Sequence, residues 1–174
     1  MSEHYQPLFK PYVRSGEVID GAIWPQGMNR VALGIEYKGT HYHGFQVQPN
    51  GVKTVQQSLE FALSRVADEN IALVCAGRTD AGVHATNQVV HFDTLSARPE
   101  KAWLKGTRPF LPDDVVIRWA CPVIPQFHAR FSAESRTYRY LLSDAKTRPA
   151  LLHDQVTWYP RPLDIHKMKQ GAAY

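Results

Sequence analysis

The residue types most capable of chemistry stand close together in one short polar segment, AGRTDAGVH at positions 76–84. Arg78 and Asp80 are two positions apart, so both side chains can be directed at one site. The carboxylate of Asp80 can serve as a nucleophile or as a general base, and a nearby guanidinium would favour its ionised form. The two glycines allow unusual backbone angles and the close approach of a ligand. The simpler alternative is a tight turn with a surface ion pair, which would contribute little to stability.

The neighbouring sequence predicts that strands hold this segment on both sides. An apolar run predicts a first strand over 30–37, and two further runs predict strands over 71–76 and 88–92. The 76–84 segment is then a loop between two strands, where side chains project from a rigid edge into a cleft.

Two helices are predicted from their caps and their apolar spacing. Thr54 is a suitable N-cap for a helix that ends near Asp68. Its apolar face would comprise Val55, Leu59, Ala62, Leu63 and Val66. Pro99 suits the start of a second helix, which runs through residues 102–104 and is followed by a strand over 115–120.

The resulting order of elements, βαββαβ, indicates an α/β (α+β) domain with an antiparallel sheet of the ferredoxin-like or RNA-recognition-like kind. The helices are expected on one face of the sheet, which leaves the other face open to a ligand. Fold alone does not name that ligand.

Changes of character along the chain predict three regions. Residues 1–27 mix Pro, Gly, charges and isolated aromatics without a period, so a flexible N-terminal extension is expected. Residues 28–124 would form the domain that carries the polar loop. Residues 125–174 would begin a second, similar domain that is cut short.

Two elements are predicted in this last region. SRTYRYLLS at 135–143 alternates as a long strand would, which places Tyr138 and Tyr140 on one strand face. Residues 163–174 have helix character.

The composition narrows the class of protein. Lys and Arg number 20 against 16 Asp and Glu, and this net charge of +4 suits an anionic partner without requiring one. Cys75 and Cys121 form no CxxC pair and no framework of disulfides. This use of cysteine predicts a cytoplasmic protein. Because no apolar run reaches the length of a membrane span and the N-terminus lacks a signal-peptide core, a soluble protein is expected.

Histidines near the polar loops raise the alternative of a metal site. They are His41, His43, His84 and His91. Neutral imidazole is a common metal ligand, but no Cys or carboxylate at ligand spacing accompanies these side chains, so we expect no metal.

Two further positions suit contact with RNA. Gln46 lies in a loop, HYHGFQVQPNGVK, that is rich in aromatic and hydrogen-bonding side chains. Arg130 belongs to a group of basic residues that would form a phosphate track if they share a face; the others are Arg136, Arg139, Lys146 and Arg148. Packing within the loop and a solvated surface are the respective alternatives.

Beyond these patterns, the residues match a known family. AGRTDAGVHA, followed by QVVHFDT, resembles the signature of the A-type transfer-RNA pseudouridine synthases. GIEYKGTHYHGFQVQ is similar to the first strand and loop of that family, and TVQQSLEFALSRV to its first helix. LPDDVVIRW and FHARFSAESRTYRYLL resemble later segments in the same order, so the resemblance covers most of residues 30–145.

The resemblance implies roles for individual residues. Asp80 would be the catalytic residue, Arg78 its neighbouring cation, and Tyr138 the aromatic side chain that faces the target base once that base is extruded from the RNA stem. Further candidates for substrate binding are Thr79, His84, Gln46 and Arg130.

The resemblance also implies a reaction and partners. The enzyme would isomerise uridine to pseudouridine at positions 38, 39 and 40 of the transfer-RNA anticodon stem-loop, without a cofactor. It would act as a homodimer in which one RNA contacts both subunits. Family members are distinctly longer, with a second half that adds another wall of the RNA cleft, and they usually carry Asn at the position of Arg108.

Two rival readings follow from the same residues. In a noncatalytic RNA-binding module, the sheet, aromatics and arginines would hold structured RNA without turnover. A glycosidase is less favoured because only one carboxylate stands in the motif, whereas most glycoside hydrolases use a pair.

Overall fold

The computed structural model describes residues 26–173. The flexible extension predicted over 1–27 therefore falls outside the described residues, apart from its last two positions. By its internal contacts, the chain divides into one unit that extends to Arg136 and a second that begins at Thr137.

The first unit contains a four-stranded antiparallel sheet. Its strands are β1 (Asn29–Tyr37), β2 (Val74–Cys75), β3 (Ala85–Thr94) and β4 (Val115–Val123). They lie in the order β2-β3-β1-β4, so that β1 pairs with β3 on one side and with β4 on the other. The predicted α/β fold with an antiparallel sheet is confirmed.

Helix α1 (Val55–Ala67) covers one face of this sheet. It begins as predicted, because the Thr54 hydroxyl accepts a hydrogen bond from the Gln57 N–H. It ends where Asp68 adopts a left-handed conformation with φ 59°. Leu59 and Leu63 of the helix are fully buried in one apolar cluster with Leu33 and Ile35 of β1, and this cluster is the main core.

The predicted second helix is only a short π-helical segment, Ala102–Gly106, followed by a 3-10 turn at Arg108–Phe110. The Thr107 hydroxyl donates to the Trp103 carbonyl at 2.7 Å and so caps that segment locally. Pro109 then supplies no backbone N–H, which prevents the α-helical ladder from continuing. Trp103 itself is buried in the main core, as expected.

The second face of the sheet, which was predicted to be open, is covered in part. Phe127 and Ala129, in the segment that follows β4, are buried against Ala32 of β1. Arg30 fixes this segment, because its guanidinium pairs with Asp93 and also donates to the Phe127 carbonyl at 2.7 Å.

This packing also shifts the boundary between the units. A boundary at 124/125 was predicted, but Phe127 and Ala129 pack against the first sheet and the division by internal contacts falls after Arg136. Pro122 lies within β4 and Pro125 lies in the turn that follows it, so neither proline marks a change of unit.

The second unit contains a parallel strand pair, β5 (Leu142–Ser143) and β6 (Thr157–Trp158), and helix α2 (Ile165–Gly171). The predicted helix is thus confirmed. The long strand predicted over 135–143 is wrong, because only its last two residues pair with another strand. Tyr138 and Tyr140 lie outside any strand and are 64% and 90% exposed.

Across residues 26–173, every helix is too short or too polar to cross a lipid bilayer.

Candidate active site

Two loops at one end of the sheet line an open cleft of about 450 Å³. One is the 38–54 loop between β1 and α1, and the other is the 76–84 loop between β2 and β3. The cleft is lined by His43, Gly44, Gln46, Val47, Gln48, Arg78, Thr79, Asp80 and Ala81. The structure therefore brings together four of the residues predicted for the site, Gln46, Arg78, Thr79 and Asp80.

Arg78 and Asp80 both present exposed side chains to this cleft. Within the described part of the chain, no ion pair or hydrogen bond joins them, so the simple alternative of a surface ion pair does not describe this loop. A carboxylate and a guanidinium that stand at one cleft without neutralising each other can both act on a bound molecule.

Thr79, between these two residues, is held from both sides. The Tyr37 hydroxyl lies 2.7 Å from the Thr79 hydroxyl, and the Thr79 carbonyl accepts from the Phe45 N–H at 3.0 Å. Gly44 makes this approach possible, because a Cβ at its position would lie 2.7 Å from the Thr79 carbonyl oxygen and its φ is +91°. These contacts fix the backbone from which Asp80 projects.

Tyr42 ties both loops to the start of β4. Its buried hydroxyl donates to Asp114 at 2.5 Å, and its carbonyl accepts from the Gly82 N–H at 3.2 Å. Burial, and then the Asp114 carboxylate, raise the pKa of Tyr42 well above its ordinary value, so the phenol stays protonated as a donor.

His84 connects the same two loops. Its Nδ1 accepts a hydrogen bond from the Gly39 N–H at 3.0 Å, so the proton of a neutral ring lies on Nε2. Gly39 packs so closely that a Cβ there would be 2.0 Å from the Val83 carbonyl oxygen. His84 was predicted to bind substrate; it is not among the residues that line the cleft, and its observed contact is with the backbone.

Three arginines influence Cys75, the last residue of β2. Burial raises the pKa of the Cys75 thiol, and the charges of Arg78, Arg130 and Arg136 partly oppose that shift. These three guanidiniums are therefore all close enough to Cys75 to influence its ionisation. Arg130 is exposed, with its guanidinium carbon 5.8 Å from the Phe131 ring centre. Tyr138, in contrast, belongs to the second unit.

Sequence reasoning did not predict several contacts that shape this site. Asp114, Tyr37 and Arg136 each make a hydrogen bond to a loop or side chain far away in sequence. Local pattern holds no signal for such contacts, whereas Gln46 and the 76–84 loop could be found from their composition. Within residues 26–173, no three His, Cys, Asp or Glu side chains come together as a metal-binding group.

Comparison with known proteins places this geometry in context. Residues 34–132 match a family model described as tRNA pseudouridine synthase. The chain is 56% identical over 147 residues to tRNA pseudouridine synthase A of Alcanivorax borkumensis, which covers 84% of this chain and 55% of that relative. It is 55% identical over 146 residues to the Pseudomonas aeruginosa protein of the same name, covering 84% and 51%. The chain thus spans about half the length of the curated relatives it matches.

Proposed function

Because the chain belongs to the tRNA pseudouridine synthase family, whose model matches residues 34–132, we propose that this protein isomerises uridine to pseudouridine in transfer RNA. The observation that carries the proposal is the position of Asp80, which projects into a cleft formed by the two loops that match the family. Its side chain is exposed to an incoming nucleotide.

The reaction needs no redox change. The bond between uracil N1 and the ribose C1′ breaks, the base turns, and a bond from C5 to C1′ forms, while the proton on C5 leaves and N1 gains one. In this reaction Asp80 can act as a nucleophile that attacks the ribose or the uracil, or as the general base that removes the C5 proton. Both routes place the same carboxylate beside the extruded uridine.

The other site residues support binding and extrusion. Arg78 shares the cleft with Asp80, where it can contact phosphate or take the space left by the extruded base. Gln46 and Thr79 line the same cleft and offer hydrogen bonds to the base or ribose. We assign Arg130 to phosphate contact, Tyr138 to stacking on the target base, and His84 to support of the substrate through the loop it holds.

The finer assignments rest on the family resemblance. We propose that the target uridines lie at positions 38, 39 and 40 of the anticodon stem-loop. We also propose that the enzyme works in the cytoplasm as a homodimer, with one transfer RNA contacting both subunits. The exposed Arg78 and Arg130 suit the binding of an RNA stem, because contacts to phosphate position a nucleic acid.

A noncatalytic RNA-binding module is the second candidate. It is favoured by Arg78 and Arg130, which are exposed and, among the described residues, have no acidic partner. Such side chains suit phosphate whether or not turnover follows.

Tritium release from transfer RNA labelled at uridine C5 tests the proposal. The assay compares this chain with the chain extended to the length of its relatives, and measures RNA binding by filter retention in parallel. Release by either protein supports the isomerase, and release by the extended protein alone shows that the matched half requires its partner half. Binding by both without release would instead support the RNA-binding module.

A further inference from the structure

Arg136 makes an unusual set of contacts at the start of the 76–84 loop. Its Nε and Nη2 both donate to the Ala76 carbonyl, at 2.9 and 2.7 Å. The same Nη2 also donates to the Arg130 carbonyl at 2.9 Å. One guanidinium therefore joins the backbone just before Arg78 and Asp80 to the backbone of Arg130.

Ala76 is the point at which this loop leaves the sheet. Its N–H donates to the Val89 carbonyl at 2.8 Å, and the next carbonyl, Gly77, accepts from the Gln88 side chain. The following fixed residue is Thr79, held by Tyr37 and Phe45. Asp80 thus stands just beyond a short length of backbone whose upstream end is fixed in part by Arg136.

We infer that Arg136 is a positioning residue: by holding the Ala76 and Arg130 carbonyls together, it orients the Arg78–Asp80 backbone relative to the Arg130 side chain. This role rests on the proposed isomerase function. Arg136 does not line the cleft and is assigned no contact with the substrate. It acts through the loop it holds.

The geometry of the contact requires arginine. Two parallel donors from one planar group meet a single carbonyl, and one of these donors is shared with a second carbonyl. A lysine ammonium keeps the charge but is a point donor without this fork. Lysine at position 136 therefore separates the positioning role from the positive charge that the RNA backbone experiences.

Arg136→Lys and Arg136→Ala, in the chain extended to the length of its relatives, test the inference by steady-state tritium release. We expect kcat to fall on the order of 10²-fold in both variants, since small misplacement of a reacting group has effects of this size. KM should change much less. Arg65→Lys, on the exposed side of α1, is the matched control and should behave as wild type. Because Arg136 is exposed, added guanidinium should restore part of the turnover of Arg136→Ala.

Hydrogen exchange on the 174-residue chain supplies a readout that does not depend on turnover. In Arg136→Lys, amides of the 76–84 loop that are bonded in wild type, such as Ala76 and Gly82, should exchange faster while those of α1 stay protected. If wild type itself releases no tritium, the isomerase proposal fails and this exchange result alone decides the role of Arg136. Two results would overturn the inference. One is an Arg136→Lys variant in which both kcat and the exchange of the 76–84 loop are unchanged. The other is a change in KM that is equal in Arg136→Lys and Arg136→Ala while kcat stays normal.

Discussion

Individual side chains in this protein are held by partners that are distant in sequence, and Tyr42 is the clearest case. Its ring is buried, its hydroxyl is bonded to Asp114, and the Lys53 ammonium lies 4.4 Å from its ring centre. The buried phenol hydroxyl thus has a hydrogen-bond partner, as buried polar groups generally do. The hydroxyl couples the loop that lines the cleft to the end of the sheet.

Tyr42→Phe should lower the free energy of unfolding by about 1 to 3 kcal/mol, because Asp114 loses its donor while the ring and backbone contacts remain. Urea unfolding followed by circular dichroism measures the change. Tyr159→Phe, at an exposed tyrosine, is the control and should change stability little. Equal effects of the two substitutions would show that the Asp114 bond contributes nothing.

His91 introduces a dependence of stability on pH. The ring is buried on the second face of the sheet, and its Nδ1 accepts from the Ala129 N–H at 3.1 Å. Burial, and then the charge of Arg30, lower the pKa of His91 to about 4, so the folded protein keeps this ring neutral.

The free energy of unfolding should therefore be unaffected by His91 protonation above pH 6.5 and should decrease as the pH falls towards 4. Between these pH values His91 is protonated in the unfolded chain but neutral in the folded protein. Acid therefore favours unfolding, and His91 contributes at most about 3 kcal/mol to this loss of stability. His91→Asn keeps an acceptor for Ala129 and removes the titration. Its loss of stability between pH 7.5 and pH 5, measured with urea, should be smaller than that of wild type. An identical loss would contradict the assignment to His91.

At the scale of elements, contact between the two cleft loops depends on glycine. The 3-10 turn Gly39–His41 follows β1 and lies against the 76–84 loop, where Gly39 leaves no room for a Cβ beside Val83. Because Val83 would be met through its backbone, a side-chain rotation cannot relieve the clash.

Gly39→Ala should destabilise the protein by about 1 to 3 kcal/mol through overpacking. It should also reduce tritium release by the extended protein on the order of 10²-fold, because the loop carrying Asp80 must shift. Gly171→Ala, where a Cβ meets no atom within 4 Å, is the control. Normal turnover of Gly39→Ala would mean that the spacing of the two loops has no influence on the site.

Local sequence signals account for some elements and fail for others. β1 and α1 could be predicted because a largely apolar run and the Thr54 cap act locally. β2 is shorter than predicted, at Val74–Cys75, because Ile71 and Leu73 are buried beside α1 without strand pairing and the Leu73 N–H donates to the Glu60 carboxylate. Alternation over 135–143 predicted a strand, but a strand also needs a partner, which a one-dimensional pattern cannot supply.

For the site, composition and family resemblance located Asp80, Arg78, Thr79 and Gln46, all of which line the cleft. The same reasoning placed Arg136 only in a possible phosphate track. It did not predict the contact of Arg136 with Ala76 or that of Asp114 with Tyr42, because these contacts span 60 and 72 residues of chain. The covering of the second face could not be predicted from the sequence either, because it depends on how the chain after β4 packs back onto the sheet.

At the scale of the whole molecule, the four-stranded sheet carries at its end a cleft that is lined by the Asp80 carboxylate and the Arg78 guanidinium. The net charge of +4 is moderate, so the proposed binding of RNA would depend on where the arginines lie rather than on their number. The central claim is that Asp80 performs chemistry at this cleft and does not merely contact RNA.

Single-turnover tritium release by Asp80→Asn tests that claim most directly. The variant is made in the chain extended to the length of its relatives, with the exposed Asp113→Asn as the matched control. We expect no release by Asp80→Asn above the buffer background, with RNA binding retained or tighter, since a negative charge beside a polyanion has been removed. The control should match wild type. Release by Asp80→Asn at the wild-type rate would contradict the assignment of Asp80 as the catalytic residue.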